Sequence, residues 1–312
     1  MALFSLIAVL LIEQLRPLPY LSVVVAPLAR YARILEDRFN AGEHRHGIIA
    51  WFVGVGSLVV FAALGHALLY SWNPLLAWVW NVLVLYLTMG FRQFSHYFTD
   101  IQLALRMEDL SHARDLLAEW RGGATADLSS SDIVRQSIQE ALKASHLHVF
   151  GVLACFVLFP GPSGAVLYRA AAFFADRWGS GGIDQSGAFG RFSRQAFSAL
   201  DWLPSRLTAV GFAIVGNFEA AMYRWKTSAK NVPESALGSG AGIVLAAGYG
   251  ALGLGLDSSG MEKPASADAV SRRLSDDVDL DFMQSAVGLV WRALLLWIVL
   301  LLLVGLASVV RV

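Results

Sequence analysis

The chain has 312 residues, 56% of them hydrophobic and only 15% charged, with a mean hydropathy of +0.55. Soluble domains carry close to a quarter charged residues, so this is the composition of a membrane protein. Basic and acidic residues number 24 each, and with no net charge there is no global field to favour nucleic acid, which is set aside as a partner.

The first twelve residues resemble the apolar part of a signal peptide. They lack a basic start, and Glu13-Gln14-Leu15-Arg16-Pro17 follows where a small-residue cleavage site belongs, so the segment is expected to be retained. Arg16, Arg30, Arg33, Arg38 and Arg45 fall in one connecting region. Glu43-His44-Arg45-His46 gathers two imidazoles and a carboxylate there, but alternate residues do not share a helical face and no third ligand of matching spacing follows, so no metal site is assigned.

Residues 48–70 and 74–90 read as a transmembrane hairpin turned at Ser71-Trp72-Asn73-Pro74. A polar region, 91–145, comes next. Phe91, Phe94, Phe98, Ile101 and Leu105 recur at steps of three and four, which places them on one face of an amphipathic helix. Gly122-Gly123 stops it, and Ser129-Ser130-Ser131-Asp132 offers N-caps for a second helix over 133–145. This helical hairpin carries Arg92, Arg106, Arg114, Arg121, Arg135 and Lys143. By the positive-inside rule it lies in the cytoplasm, on the same side as the earlier arginine-rich region.

The apolar run 147–175 is interrupted by Phe159-Pro160-Gly161-Pro162-Ser163-Gly164. Broken backbone is tolerated at membrane depth only where protein or a water-filled cavity shields it, so this break marks a candidate site and a broken or re-entrant segment. His146 and His148 enter it, where ionisable groups are costly. Cys155, the single cysteine, reads as a small buried hydrophobe. Residues 203–218 form a short apolar segment with Asp201 and Glu219 at its ends. Residues 238–256 are apolar and glycine-rich, suited to close helix packing or to entering the membrane and returning, rather than to a phosphate cradle, because no Lys-Ser/Thr follows. Residues 179–190 and 257–281 read as flexible. The second ends in Asp276, Asp277, Asp279 and Asp281, which fit a solvated helix cap as well as a divalent cation. The clearest span is 285–310, long enough to cross a ~30 Å core.

The order of these segments resembles the CobD/CbiB family of cobalamin-biosynthesis membrane proteins and its relative AmpE. Met107-Glu108-Asp109-Leu110-Ser111-His112-Ala113-Arg114 is similar to the family's acidic-Leu-x-x-x-Arg helix. Ile133-Val134-Arg135 with Glu140 resembles the segment ahead of its Ala-Glu-Asn signature. Gly161-Pro162-Ser163-Gly164-Ala165-Val166-Leu167-Tyr168-Arg169-Ala170 resembles Gly-Gly-x-Pro-x-Ala-x-x-Tyr-Lys-Ala. Asp201-Trp202-Leu203-Pro204-Ser205-Arg206-Leu207 matches Asp-x-x-Pro-x-Arg-Leu, and the glycine-rich segment is similar to the late Ala-Gly-Ala-Leu-Gly. In the enzymes the resemblance implies formation of an amide between an aminopropanol unit and a corrinoid. This chain departs from the pattern: Ala144-Ser145 replaces Glu-Asn, His148 an Asp, Ala172 and Ala175 an Asn and an Asp, and Gly122-Gly123-Ala124-Thr125 replaces Gly-Arg-Asp-Thr.

The expectations are therefore these. The chain is an all-α, polytopic protein of the bacterial inner membrane, one domain over 1–312, with a cytoplasmic amphipathic hairpin. The leading functional reading is a diverged, non-catalytic AmpE-like sensor or regulator; the alternative is an adenosylcobinamide-phosphate synthase. Arg135, His148, Tyr168, Arg169, Asp201 and Arg206 would line a polar, ligand-binding pocket at the helix break, with the arginines as anion anchors. Glu140 and Asp176 are the candidate catalytic carboxylates, and the enzymatic alternative expects them to converge with Asp201 and Glu219. Expected partners are the lipid bilayer and a small anionic ligand or another membrane protein. No cofactor is assigned; a corrinoid, and a nucleotide with magnesium, belong only to the enzymatic alternative.

Overall fold

A computed structural model describes residues 2–15, 20–40, 44–179, 189–228, 239–254 and 269–310. They are helical apart from short connections such as 122–129 and 159–162, with no strand among the described residues, and the chain is an all-α polytopic membrane protein. The expected flexible residues 180–188 and 257–268 lie outside the described residues. Residues 269–281, expected as loop, instead begin the last helix, α14 (Ala269–Val310).

Three stretches are long and apolar enough to cross a membrane: Arg45–Trp72, Ser130–Leu158 and Leu280–Ala307. They differ in environment. The most apolar part of Ser130–Leu158 is 67% buried within the protein, against 28% and 22% for the other two, so this helix forms the centre and the others face lipid.

α1 (Ala2–Leu15) packs on α4 (Pro74–Thr88). The arginine-rich connection expected after it contains an amphipathic helix, α2 (Ala26–Phe39), which lays Ala32 and Leu35 against α3 (His44–Trp72). α3 and α4 form the expected hairpin. Asn73 is extended and accepts from Leu75 N–H at 2.8 Å, with Pro74 in the first helical position, where its missing N–H costs nothing.

In α5 (Phe91–Arg106), Phe98, Ile101 and Leu105 are buried, as the periodicity requires. Its end is tight: Glu108 has φ 58°, the left-handed value usually left to glycine. Asp109 then caps α6 (Leu110–Arg121), accepting from His112 N–H at 3.0 Å and Ser111 Oγ–H at 2.7 Å. Those two bonds, the backbone one foremost, hold the Asp109 carboxyl below the usual carboxylate range. A depressed folded-state value contributes stability above the unfolded value that is lost as pH falls through the folded one. Protection of the first-turn amides of α6 against exchange, taken relative to their intrinsic rates at each pH, should accordingly fall on acidification below the ordinary carboxylate range. In Asp109→Ala that protection should already be low at neutral pH and unchanged by acid, and an identical acid response in the variant would refute the cap as its source.

α7 (Ser130–Ser145) starts with a capping box, Ser129 and Asp132 bonding reciprocally. It was expected to end the cytoplasmic hairpin. The structure carries it onward through a π-helical turn (His146–Phe150) into α8 (Gly151–Leu158), one continuous axis. The Pro/Gly break is the turn from α8 into the antiparallel α9 (Ser163–Gly179). Gly161 has φ 66° and Ser163 Oγ donates to Pro160 O at 2.7 Å. A Cβ on Gly164 would overlap the carbonyl oxygen of Cys155, and one on Gly151 would overlap Tyr168, so glycine sets how closely the two helices lie.

α10 (Phe189–Leu200) packs on α3 and α9, and α11 (Trp202–Val215) follows after Asp201. The glycine-rich segment is α13 (Ser239–Ala251), pressed against α11 and α12 (Phe218–Ser228). A Cβ on Gly250 would meet Ala220 O at 2.6 Å and one on Gly240 would overlap Asp201 Oδ2, which is the close approach small residues permit.

Candidate functional site

The π turn at His146–Phe150, in which Gly151 N–H bonds His146 O, inserts an extra residue into the central helix. Such bulges re-aim side chains, and here His146 and His148 enter two different polar clusters.

The first cluster is closed to solvent. His146, Tyr168, Asp201 and Thr208 are all at most 1% exposed. His146 Nε2 lies 2.8 Å from Asp201 Oδ1, the Tyr168 hydroxyl donates to the same oxygen at 2.7 Å and stands 3.2 Å from Nε2, and His146 Nδ1 lies 2.9 Å from Thr208 Oγ1. Thr208 has one proton and two acceptors in reach, Pro204 O at 2.9 Å and His146 Nδ1. If it donates to Pro204 O, both imidazole nitrogens donate and His146 is cationic. If it donates to Nδ1, a neutral His146 donates through Nε2 alone. Either way Asp201 Oδ1 accepts two hydrogen bonds. Asp201 occupies the N-cap position of α11 without capping it, although aspartate is among the best caps; its carboxylate joins three helices instead. Phe197 covers the Tyr168 ring at 5.5 Å.

The second cluster is half-buried. Arg169 Nε donates to the Tyr20 hydroxyl at 2.7 Å, its guanidinium carbon stands 5.4 Å above the Tyr20 ring, and a terminal nitrogen lies 3.5 Å from His148 Nε2. His148 Nδ1 is buried and has no hydrogen-bond partner among the described residues.

The remaining expected residues lie elsewhere. Glu140 pairs with Lys143 at 3.0 Å and with Arg121 at 3.8 Å, tying α6 to α7. Arg135 is exposed on α7, and its carbonyl accepts from Tyr249. Asp176 is exposed two turns beyond Arg169. Arg206 does not bridge to Asp201: it stacks 4.2 Å above Trp202, an exposed residue, and donates to its own helix at Trp202 O. The expected single charge-lined pocket is thus replaced by a dry cluster, an arginine cluster and separate surface pairs. Glu140, Asp176, Asp201 and Glu219 do not converge, and no group of three or more His, Cys, Asp or Glu suited to a metal exists among the described residues. The physical reason is register: Tyr168 and Arg169 are neighbours on α9 and, about 100° apart around the helix, face different neighbours, so one motif feeds two sites.

Sequence reasoning noticed His146 but assigned it no place, and it missed Thr208 and Tyr20. Thr208 had a signal, because Asp201 and Thr208 stand seven apart on one helical face. Tyr20 had none, since only the fold brings it 149 residues back to Arg169.

The family model described as CobD/Cbib protein matches residues 7–280. The chain belongs to the CobD/CbiB family. It is similar to "Cobalamin biosynthesis protein CobD" of Stutzerimonas stutzeri (strain A1501), 28% identical over 310 residues that cover 96% of this chain and 97% of the relative. It is also similar to the protein of the same name from Chromobacterium violaceum, 32% identical over 183 residues, 59% of this chain and 57% of the relative. No solved structure matches. These findings overturn the leading expectation of a non-catalytic AmpE-like sensor: CobD/CbiB relatives named for cobalamin biosynthesis match, one of them end to end. The departures from the motif pattern that motivated that expectation do not take the chain out of the family, and the family points to a biosynthetic role.

Proposed function

We propose that this chain is a multi-pass inner-membrane enzyme of cobalamin biosynthesis, of the adenosylcobinamide-phosphate synthase type, forming an amide between an aminopropanol unit and a corrinoid carboxyl. The observation that carries this reading is the end-to-end match to a relative named for cobalamin biosynthesis. Amide formation joins the amine nitrogen to the carboxyl carbon and breaks that carbon's bond to one oxygen. A nucleoside triphosphate as co-substrate would phosphorylate that oxygen so that it leaves as phosphate, the amine proton is released, and the charge on the departing group is what needs stabilisation. Arg169, pre-oriented by Tyr20 and His148, supplies a partly desolvated cation for a carboxylate or phosphate oxygen. The dry cluster around Asp201 acts as a positioning device: it fixes Tyr168 and thereby the adjoining Arg169.

The test is rescue of a strain lacking its cobinamide synthase. The wild-type chain should restore cobalamin-dependent growth, and Arg169→Ala should lower corrinoid product at least ~10²-fold, the scale of losing one charge-stabilising donor, at unchanged membrane abundance. Arg206→Ala, which removes only a surface stack, should rescue fully. Absence of rescue by well-expressed wild-type protein would overturn the proposal.

A further inference from the structure

Beyond that activity, α2 carries a charged face that the fold leaves uncovered. Successive helical residues turn by about 100°, so Ala32 and Leu35, buried on α3, lie on one side, while an arc of about 140° on the other holds Arg30, Arg33, Ile34, Asp37 and Arg38, all exposed. None of the three arginines forms an ion pair among the described residues. Asp37 on the arc and Glu36 at its edge offset part of the charge, and Arg45, exposed at the start of α3, adds to it.

The depth of this face follows from its contacts with α3. The Tyr31 hydroxyl stands 2.9 Å from Ser57 Oγ and 3.4 Å from Val53 O, and a Cβ on Gly54 would meet the Leu35 side chain at 2.8 Å, so α2 runs antiparallel to α3. About 20 residues cross a ~30 Å hydrocarbon core, and counted back from the Asn73-Pro74 turn they end near Val53. Tyr31 therefore sits at the boundary, where amphipathic aromatic rings concentrate. Arg33 lies at the same level and Arg38 beyond it, while Arg30, just inside, reaches out along its own stem. Ile34 among the arginines, and Val53 and Val60 on the adjoining strip of α3, are exposed apolar side chains. Cations at headgroup level thus border hydrocarbon at acyl-chain level, a border that a free anion would leave unused. Guanidinium forks also match phosphate oxygens bidentately.

We infer that this face of α2 binds an anionic phospholipid, its headgroup on Arg30, Arg33 and Arg38 and its acyl chains along Ile34, Val53 and Val60. The full-length protein in phosphatidylcholine nanodiscs, doped with phosphatidylglycerol that carries a diazirine in its acyl chain, tests it. Labelled peptides should come from α2 and from residues 49–60, and unlabelled phosphatidylglycerol should compete while phosphatidylcholine and glycerol phosphate do not. An arginine near an anionic surface contributes about 1 kcal/mol, or about fivefold, so the variant Arg30→Gln/Arg33→Gln/Arg38→Gln should weaken the competing affinity about 10²-fold. Arg121→Gln, an exposed arginine on α6, should leave it unchanged. Equal competition by phosphatidylcholine would show ordinary surrounding lipid, and competition by glycerol phosphate would show a site for soluble anions; either overturns the inference. So does labelling confined to other helices, or unchanged affinity in the monodisperse triple variant, which would leave the arginines to an acidic protein. The readout is lipid binding and does not depend on cobinamide synthesis.

Discussion

Asp201→Ala is expected to be the most damaging single substitution in the membrane core, lowering stability by about 3–5 kcal/mol, the scale of removing one partner of a buried ion pair. Counting bonds alone predicts less. Interhelical hydrogen bonds in membranes average ~0.6 kcal/mol, so the two bonds His146 and Tyr168 make to Oδ1 would give only ~1 kcal/mol. The larger figure follows when His146 is cationic, because its charge, 1% exposed, then loses its counter-ion; a neutral His146 would fall back on the Tyr168 hydroxyl 3.2 Å away and the cost would stay near the smaller figure. Asp201→Asn keeps the shape and an acceptor for Tyr168, and should cost roughly half as much. The double variant His146→Leu/Asp201→Leu should recover much of the loss, because replacing both members of a buried pair with apolar groups is often neutral. Denaturant unfolding in detergent reads all three. If the double variant is no more stable than Asp201→Ala, the pairing does not carry the effect.

Gly164→Val should be nearly as severe, about 3 kcal/mol or more, at the upper end of overpacking costs. The added Cβ would overlap the Cys155 carbonyl oxygen and come within 2.8 Å of Phe159 Cβ, and a backbone carbonyl has no rotamer to retreat into. The strain would part α8 from α9 and so separate Tyr168 from His146. Gly56→Ala on α3 is the control: nothing lies within 4 Å of its added Cβ, and the helical preference for alanine makes it neutral or stabilising by up to ~1 kcal/mol. Near-wild-type unfolding of Gly164→Val would contradict the close α8–α9 approach.

Much of the architecture was legible because membranes impose simple rules. Periodicity found the buried face of α5, and Asn73-Pro74 located the α3–α4 turn. The Pro/Gly motif marked a real break, but its nature was not readable: a re-entrant segment and a helix-to-helix turn share the same residues, and only the packing of Gly164 on Cys155 decides between them. α2 was hidden because its arginines read as loop charge, whereas their spacing leaves Ala32 and Leu35 on one inward face.

By itself the sequence determined the solvent this protein folds in, the helical class, and membership in a family whose motifs survive in order; apolar runs and helix punctuation are local properties that the chain carries wherever it goes. Tertiary structure alone decided which polar residues meet. Tyr168 and Arg169 are adjacent in sequence yet serve separate clusters, and His146 finds Asp201 55 positions away, because a buried polar group must be satisfied by whatever neighbour the packing of distant helices supplies.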